Sequence, residues 1–159
     1  MHVLCSRKYS NAEFVQFLLE KGSIPNLKDW QGHTPLHYCC SNPEASKEVI
    51  TLLINKKAAL NLRIEKNKTE LHILILNAVK LDHDIIHFLI SSKSDPNLID
   101  SFSQSAVHYA SSSRNSFPIL EALFQHQISL DIKNSNEQYP IHLGNYFYFI
   151  LSIFNCFFK

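Results

Sequence analysis

The sequence of 159 residues contains only three glycines, Gly22, Gly32 and Gly144. Because no two of them lie close together, a glycine-rich loop that cradles a phosphate group is excluded. The sequence also lacks an excess of charge of either sign, since 15 lysines and arginines balance 14 aspartates and glutamates. A formal charge of +1 supplies no long-range field for nucleic acid, so we expect no nucleic-acid partner.

Cysteine is sparse as well, with four residues of which two, Cys39 and Cys40, are adjacent. This is a poor disulfide framework for a chain of this length. The first ten residues lack the charged-then-apolar order of a signal peptide. These features predict a reducing environment inside the cell, with a cytoplasmic location and the nucleus also open.

Long hydrophobic runs are missing except near the C-terminus, where residues 146–158 are rich in Phe and Tyr. A membrane-spanning helix needs about 20 apolar residues, and this run is shorter, so a membrane partner is not the favoured reading. Residues 146–158 are expected either to cover the end of the last repeat or to belong to a variant tail of a longer protein. An uncovered aromatic tail, or uncapped ends of the array, would promote self-association.

The sequence does contain an internal repeat. The segments TPLH (34–37), TELH (69–72), SAVH (105–108) and YPIH (139–142) recur at steps of 35, 36 and 34 residues. A second series in the same register reads EFVQFLL (13–19), EVITLLI (48–54), DIIHFLI (84–90) and PILEALF (118–124). Each period predicts two helices: the first begins after a Thr or Ser N-cap, and the second carries apolar residues at helical spacing.

The stretch DWQGHTPLHYCC (29–40) resembles the T-P-L-H signature of the ankyrin repeat, a unit of about 33 residues built from a β-turn and two helices. The resemblance covers residues 1–142 and implies an all-α, helix-turn-helix solenoid with short β-turn connections. Met1 and His2 align with Leu36 and His37, so residues 1–33 are expected to form a partial first repeat. The following units are 34–68, 69–104 and 105–138, and residues 139–159 form an incomplete repeat with the aromatic tail.

The resemblance assigns structural roles in turns and helix caps to ten residues. They are Asp29, Gly32, Thr34, Pro35, His37, Thr69, His72, Ser105, His108 and His142. The turn glycine is present only at Gly32, and its equivalents are Asn67, Ser103 and Glu137. Asn tolerates a left-handed backbone, whereas Ser and Glu adopt it less readily. The apolar residues of the second helices are expected in the core, among them Phe14, Phe17, Leu18, Ile85, Phe88 and Leu89.

Two clusters could in principle bind a metal ion. The stretch GHTPLHYCC (32–40) holds two His and two Cys, but adjacent helical residues diverge by about 100°, so convergence on one ion is not expected. The stretch HDIIH (83–87) places two His four residues apart, with no third ligand evident. No nucleophile motif or isolated carboxylate pair is present either. We therefore expect no metal, no cofactor, no catalytic residue and no enzymatic activity.

The resemblance implies a non-catalytic module that binds another protein through its turn tips and the concave face of the first helices. The corresponding tip residues are Trp30, Gln31, His33, Glu65, Lys66, Lys68, Ser101, Phe102 and Gln104. Exposed first-helix positions are expected at Ser6, Arg7, Ser41, Asn42, Leu76, Asn77, Ser112 and Ser113.

Two questions stay open at this point. Trp30 and Phe102 are either interface anchors or rings that lie flat on the next turn and stabilise stacking. The array itself is either a complete binding module, the targeting segment of a longer enzyme or adaptor such as a ubiquitin-ligase substrate receptor or a kinase, or a membrane-tethered module.

Overall fold

A computed structural model of the chain describes residues 1–6, 11–43, 46–77, 84–113 and 116–144. His83 of the HDIIH stretch, Arg7 and the aromatic segment 146–158 lie outside the described residues.

Eight α-helices form the described part of the chain, and it contains no strand. The helices are α1 (His2–Cys5), α2 (Ala12–Glu20), α3 (Pro35–Ser41), α4 (Lys47–Asn55), α5 (Glu70–Leu76), α6 (Asp84–Ser91), α7 (Ala106–Ser112) and α8 (Ser116–Phe124). The described chain also contains two short 3₁₀ turns, Glu65–Asn67 before α5 and Pro140–His142 after α8. The all-α prediction is confirmed.

Local sequence accounts for where the helices begin. Thr34, Thr69 and Ser105 hold extended N-cap backbones immediately before α3, α5 and α7. Two of the second helices, α2 and α4, begin with side-chain caps: the side chain of Asn11 accepts from the amide of Phe14, and the side chain of Ser46 accepts from the amide of Val49. An N-cap oxygen satisfies an amide that the first helical turn leaves without an intrahelical acceptor.

The helices pack in two rows. The first helix of each period contacts the next, so that α1, α3, α5 and α7 form one continuous row that ends on the 3₁₀ turn Pro140–His142. In the other row α2 packs on α4, and α6 packs on α8. One core runs through all four periods, and its largest fully buried side chains include Leu36, Leu71, Ile85 and Leu120.

The prediction that Phe14 and Phe17 lie in the core is wrong. Their side chains are 47% and 48% exposed. Val15 and Leu19, four residues apart on the same helix, are the buried side of α2. The two phenylalanine rings instead stack on each other at a centroid distance of 6.3 Å. The sequence pattern made both faces of α2 apolar, and only one of them packs against a neighbouring helix.

The other second-helix residues that were predicted to lie in the core are buried or half-buried. Ile85 and Leu89 are buried, Phe88 is half-buried, and Leu18 of α2 is half-buried too.

No helix in the described ranges has the length and apolar character that crossing a membrane requires.

Candidate functional site

Each period contributes one turn tip, and histidines fasten the tips to the first helices. Nδ1 of His37 lies 2.8 Å from Oγ1 of Thr34 and accepts the Thr34 amide at 3.2 Å. Its Nε2 lies 3.0 Å from the carbonyl oxygen of Leu62, in the loop between α4 and α5. Since Nδ1 faces two donors and Nε2 faces an acceptor, the neutral ring carries its proton on Nε2.

The same arrangement recurs at each described period. His72 bonds Thr69 and the carbonyl of Gln104, and His108 bonds Ser105 and the carbonyl of Gln138. Burial lowers the pKa of His37, His72 and His108 because it disfavours the charged imidazolium. These histidines are therefore neutral structural links between each first helix and the loop that closes the same period. The outer ones complete the series, with His2 bonding the carbonyls of Leu27 and His33, and His142 accepting the Tyr139 amide.

The first and third tips are held by an aspartate and a tyrosine. Oδ1 of Asp29 accepts the amides of Gln31 and His33, and Oδ2 accepts the Tyr38 hydroxyl at 2.7 Å. Desolvation opposes ionisation of Asp29, but these hydrogen bonds outweigh it and lower the pKa of the carboxyl. The bond to Asp29 in turn raises the pKa of Tyr38. The tip that carries Trp30 therefore has a fixed backbone.

At the third tip Asp100 repeats this pattern, accepting the amides of Phe102 and Gln104 and the hydroxyl of Tyr109. Burial, followed by the bond to Asp100, raises the pKa of Tyr109 well above its ordinary range. At the second tip the equivalent pair is Ile64 and Ile73, which pack against the core. An apolar pair thus replaces the aspartate–tyrosine pair in that period.

The turn position of Gly32 requires a left-handed backbone in every period. Gly32 has a φ of 83°, and its equivalents Asn67, Ser103 and Glu137 have φ values of 57°, 55° and 60°. Lys66 is also left-handed, at 59°, so the second tip contains two consecutive residues of this kind. The tips consequently keep the same turn geometry although glycine is present only once, and three side-chain-bearing residues carry the conformational cost.

The structure separates the predicted tip residues into two groups. The exposed group consists of Trp30, Gln31, Glu65, Lys66, Ser101 and Phe102. Trp30 is 90% exposed and therefore does not lie flat on the neighbouring turn, while Phe102 is 48% exposed. Between the two open alternatives, exposure of this extent disfavours the stacking role for Trp30.

The half-buried group is the position just before each helix cap, His33, Lys68 and Gln104. Their backbones close the turn, since the amides of Asp29, Ile64 and Asp100 donate to their carbonyl oxygens. Nδ1 of His33 is buried without a hydrogen-bond partner among the described residues, and it lies 3.7 Å from Oδ1 of Asp29. These three residues offer less side-chain surface to a partner than the sequence pattern predicted.

Neighbouring tips are joined by their backbones. The amide of Ser101 donates to the carbonyl of Lys66, and that of Ser135 donates to the carbonyl of Phe102, both at 2.9 Å. The second, third and fourth tips therefore form one continuous edge.

Among the first-helix positions predicted to be exposed, the structure brings four into one row. Ser6, Ser41, Leu76 and Ser112 are equivalent residues of successive periods and all are exposed. The prediction that Asn42 is exposed is wrong, because this residue is only 8% exposed. Asn77 and Ser113 are half-buried.

Sequence reasoning missed a set of asparagines that join the loops between periods. The side-chain amide of Asn26 donates to the carbonyl of Lys57 and accepts the amide of Ala59. The equivalent residues Asn61 and Asn97 make the same two bonds to the following loop. The recurring asparagine of the segments PNL (25–27), LNL (60–62) and PNL (96–98) was the available signal.

Glu70 was missed too. It replaces Pro35 in the second cap and is fully buried, where its carboxylate accepts the Asn61 amide and the Ser94 hydroxyl. Burial raises its pKa. Glu70 is therefore a structural acceptor beneath the loop that Asn61 anchors.

The residues of GHTPLHYCC do not form a metal centre in the structure. Both ring nitrogens of His37 have backbone or hydroxyl partners, and Cys40 is fully buried with its pKa raised mainly by burial. Cys39 and Cys40 belong to the apolar core. His87 lies near His126, with Nδ1 and Nε2 3.0 Å apart. Within the described ranges, no group of three or more His, Cys, Asp or Glu side chains is arranged to hold a metal ion.

Comparison with known families gives a match over the first part of the chain. Residues 1–67 match the family model described as Ankyrin repeats (3 copies). The resemblance drawn from the TPLH stretch is thereby confirmed over this part of the chain. No curated protein shows a significant match to the sequence. Ankyrin repeats are generally protein-interaction modules and are typically non-catalytic.

Proposed function

Since residues 1–67 match a family model of ankyrin repeats, we propose that this chain is a non-catalytic module that binds a partner protein through its turn tips and the concave face of its first helices. The observation that carries the proposal is the exposure of Trp30, 90%, on a tip whose backbone is fixed by Asp29. A large aromatic ring held on a rigid backbone loses little conformational entropy on binding, which is why such residues anchor interfaces.

The exposed surface that is available to a partner is not limited to Trp30. Phe102 offers a second aromatic ring, and its backbone is held on one side by Asp100 and on the other by Ser135. The row Ser6, Ser41, Leu76 and Ser112 adds one small or apolar exposed residue from each first helix. We further propose an intracellular location, in keeping with three free, buried cysteines, Cys5, Cys39 and Cys40.

Affinity capture with the full chain tests this proposal. The wild-type chain and the Trp30→Ala/Phe102→Ala variant would each be immobilised and exposed to a eukaryotic cell lysate. We expect one or a few proteins to be captured by the wild type and lost from the double variant. Because both side chains are exposed, circular dichroism should show unchanged helix content in the variant.

Phe17→Ala is the matched control, since Phe17 is as exposed as Phe102 but belongs to α2 rather than to a tip. Its captured proteins should equal those of the wild type. If the double variant captures the same proteins as the wild type, the tips are not the binding surface and the proposal fails in that form.

A further inference from the structure

We infer that the partner segment that crosses the second and third tips is acidic, with carboxylate side chains next to an apolar group that covers Phe102. This inference rests on the proposed function of the tips. It comes from a basic patch, defined as Arg63, Lys66 and Lys68, whose three members all approach the third tip.

Three separate contacts bring the basic patch to the third tip, which carries Phe102. The Arg63 guanidinium donates to the carbonyl of Ile99 at 3.1 Å. The carbonyl of Lys66 accepts the amide of Ser101 at 2.9 Å. Nζ of Lys68 lies 5.3 Å from the centre of the Tyr109 ring, and Tyr109 is bonded to Asp100 at the base of the same tip. Arg63 and Lys66 are exposed, so their charge is open to a partner.

The charge of the basic patch is not neutralised within the described part of the chain, where none of its members forms an ion pair. Asp100, the carboxylate nearest to Phe102 along the chain, is buried and already accepts two amides and a hydroxyl. Glu65 is the exposed acidic residue of the second tip. At the fourth tip, by contrast, Lys133 is paired with Glu137 at 2.8 Å.

This distribution favours an acidic protein segment over a nucleic acid. A phosphate backbone needs a row of cations that follows it, whereas the first and fourth tips present Trp30, Gln31, Ser135 and Asn136, which are uncharged. A short segment with a few carboxylates and one apolar group matches the exposed cations Arg63 and Lys66 next to the tip that carries Phe102. Complementary charge of this kind accelerates association and selects the partner, and salt weakens it.

Selection from a random peptide library displayed on phage tests the inference, with the full chain as the target. The enriched peptides should contain an excess of Asp and Glu and at least one apolar residue. Their binding is then measured by titration, using the fluorescence of Trp30, the only tryptophan in the sequence. The Arg63→Glu/Lys66→Glu variant should bind the best acidic peptide about tenfold more weakly or worse, because two exposed pairs are lost and two repulsions appear.

Lys56→Glu is the matched control, because Lys56 is an exposed lysine of the same period at the end of α4. It should change the affinity by less than about twofold. Raising the salt concentration should weaken peptide binding to the wild type but hardly change binding to the Arg63→Glu/Lys66→Glu variant.

The outcomes separate this inference from the proposed function. Enriched peptides without excess acidity that nevertheless lose binding to Trp30→Ala would overturn the acidic partner and leave tip binding intact. Failure to enrich any peptide would count against both. Binding of a single-stranded RNA, lost in Arg63→Glu/Lys66→Glu and unmatched by any acidic peptide, would replace the acidic protein with a nucleic acid.

Discussion

The ring of His37 joins the start of α3 to the loop between α4 and α5, because its Nε2 lies 3.0 Å from the carbonyl oxygen of Leu62, 25 residues further along the chain. On the other side of the ring, Nδ1 accepts the amide of Thr34 within its own repeat. One neutral side chain thus makes hydrogen bonds both to a helix cap and to the loop that leads to the next first helix. The stability of the array should therefore depend on the protonation of these histidines.

The free energy of unfolding should fall as the pH is lowered from 7.5 to 5.5. Burial lowers the pKa of His37, His72 and His108 in the folded chain, whereas in the unfolded chain they titrate near 6.5. The unfolded state therefore binds more protons below about pH 6.5, and each histidine costs at most about 1.4 kcal/mol per pH unit there. Urea denaturation followed by circular dichroism at several pH values would measure this slope.

Glu70 supplies the control for that experiment, because its contribution has the opposite sign. Its folded pKa is raised by burial, so the stability it gives is present below its unfolded pKa and is lost as the pH rises through the folded value. In Glu70→Gln the fall in stability on acidification should be steeper than in the wild type. Stability that does not change between pH 7.5 and 5.5 in Glu70→Gln would contradict neutral histidine links.

His72→Ala should destabilise the chain by about 2–3 kcal/mol, because the buried Thr69 amide loses its acceptor and the Gln104 carbonyl loses a donor. His142→Ala should cost less than about 1 kcal/mol, since His142 is exposed and accepts from the amide of Tyr139 alone among the described contacts. Thermal denaturation of both variants compares them directly. Equal losses would show that neither burial of the His72 ring nor its hydrogen bond to Gln104 contributes to stability.

Ser103→Gly should stabilise the chain by about 0.5–1 kcal/mol, because Ser103 holds a φ of 55° that glycine adopts without steric cost. Gly32→Ala should destabilise it by about 1 kcal/mol. A Cβ at Gly32 would meet no atom within 4 Å, so this loss reports the backbone conformation alone. Chemical denaturation of the two variants gives both signs. A stabilising Gly32→Ala would refute the left-handed turn.

Asn61→Ala should cost about 1–3 kcal/mol, because its side chain bonds the Lys93 carbonyl and the Asp95 amide of the next loop. Asn55→Ala is the control: Asn55 is the exposed last residue of α4, and its replacement should change stability by less than about 0.5 kcal/mol. Hydrogen exchange of the Asp95 amide gives a local measurement, and it should accelerate in Asn61→Ala only. Unchanged exchange there would remove Asn61 from the link between loops.

Much of the fold was readable because its signals act over a few residues. The Thr and Ser caps, the histidine three positions later and the turn position of Gly32 are all set by local backbone geometry. The candidate site was readable only in part. Trp30 and Phe102 were placed at tips by the repeat register, but their exposure depends on whether a neighbouring turn covers them. The position of His33 was predicted to be outward, and it is half-buried because its backbone closes the turn.

The sequence by itself determined the repeat register, because its motifs recur at steps of 34 to 36 residues. It also determined the two helices of each period and the caps that start them, since these follow from contacts between residues at most four positions apart. Tertiary structure decided which apolar faces are covered, as Phe14 and Phe17 show against Ile85 and Leu89. It also decided the partners of Glu70 and Asn61 and brought Arg63 beside the tip of Phe102. Those outcomes depend on residues from about 9 to 36 positions away, whose approach is set by how one repeat packs on the next.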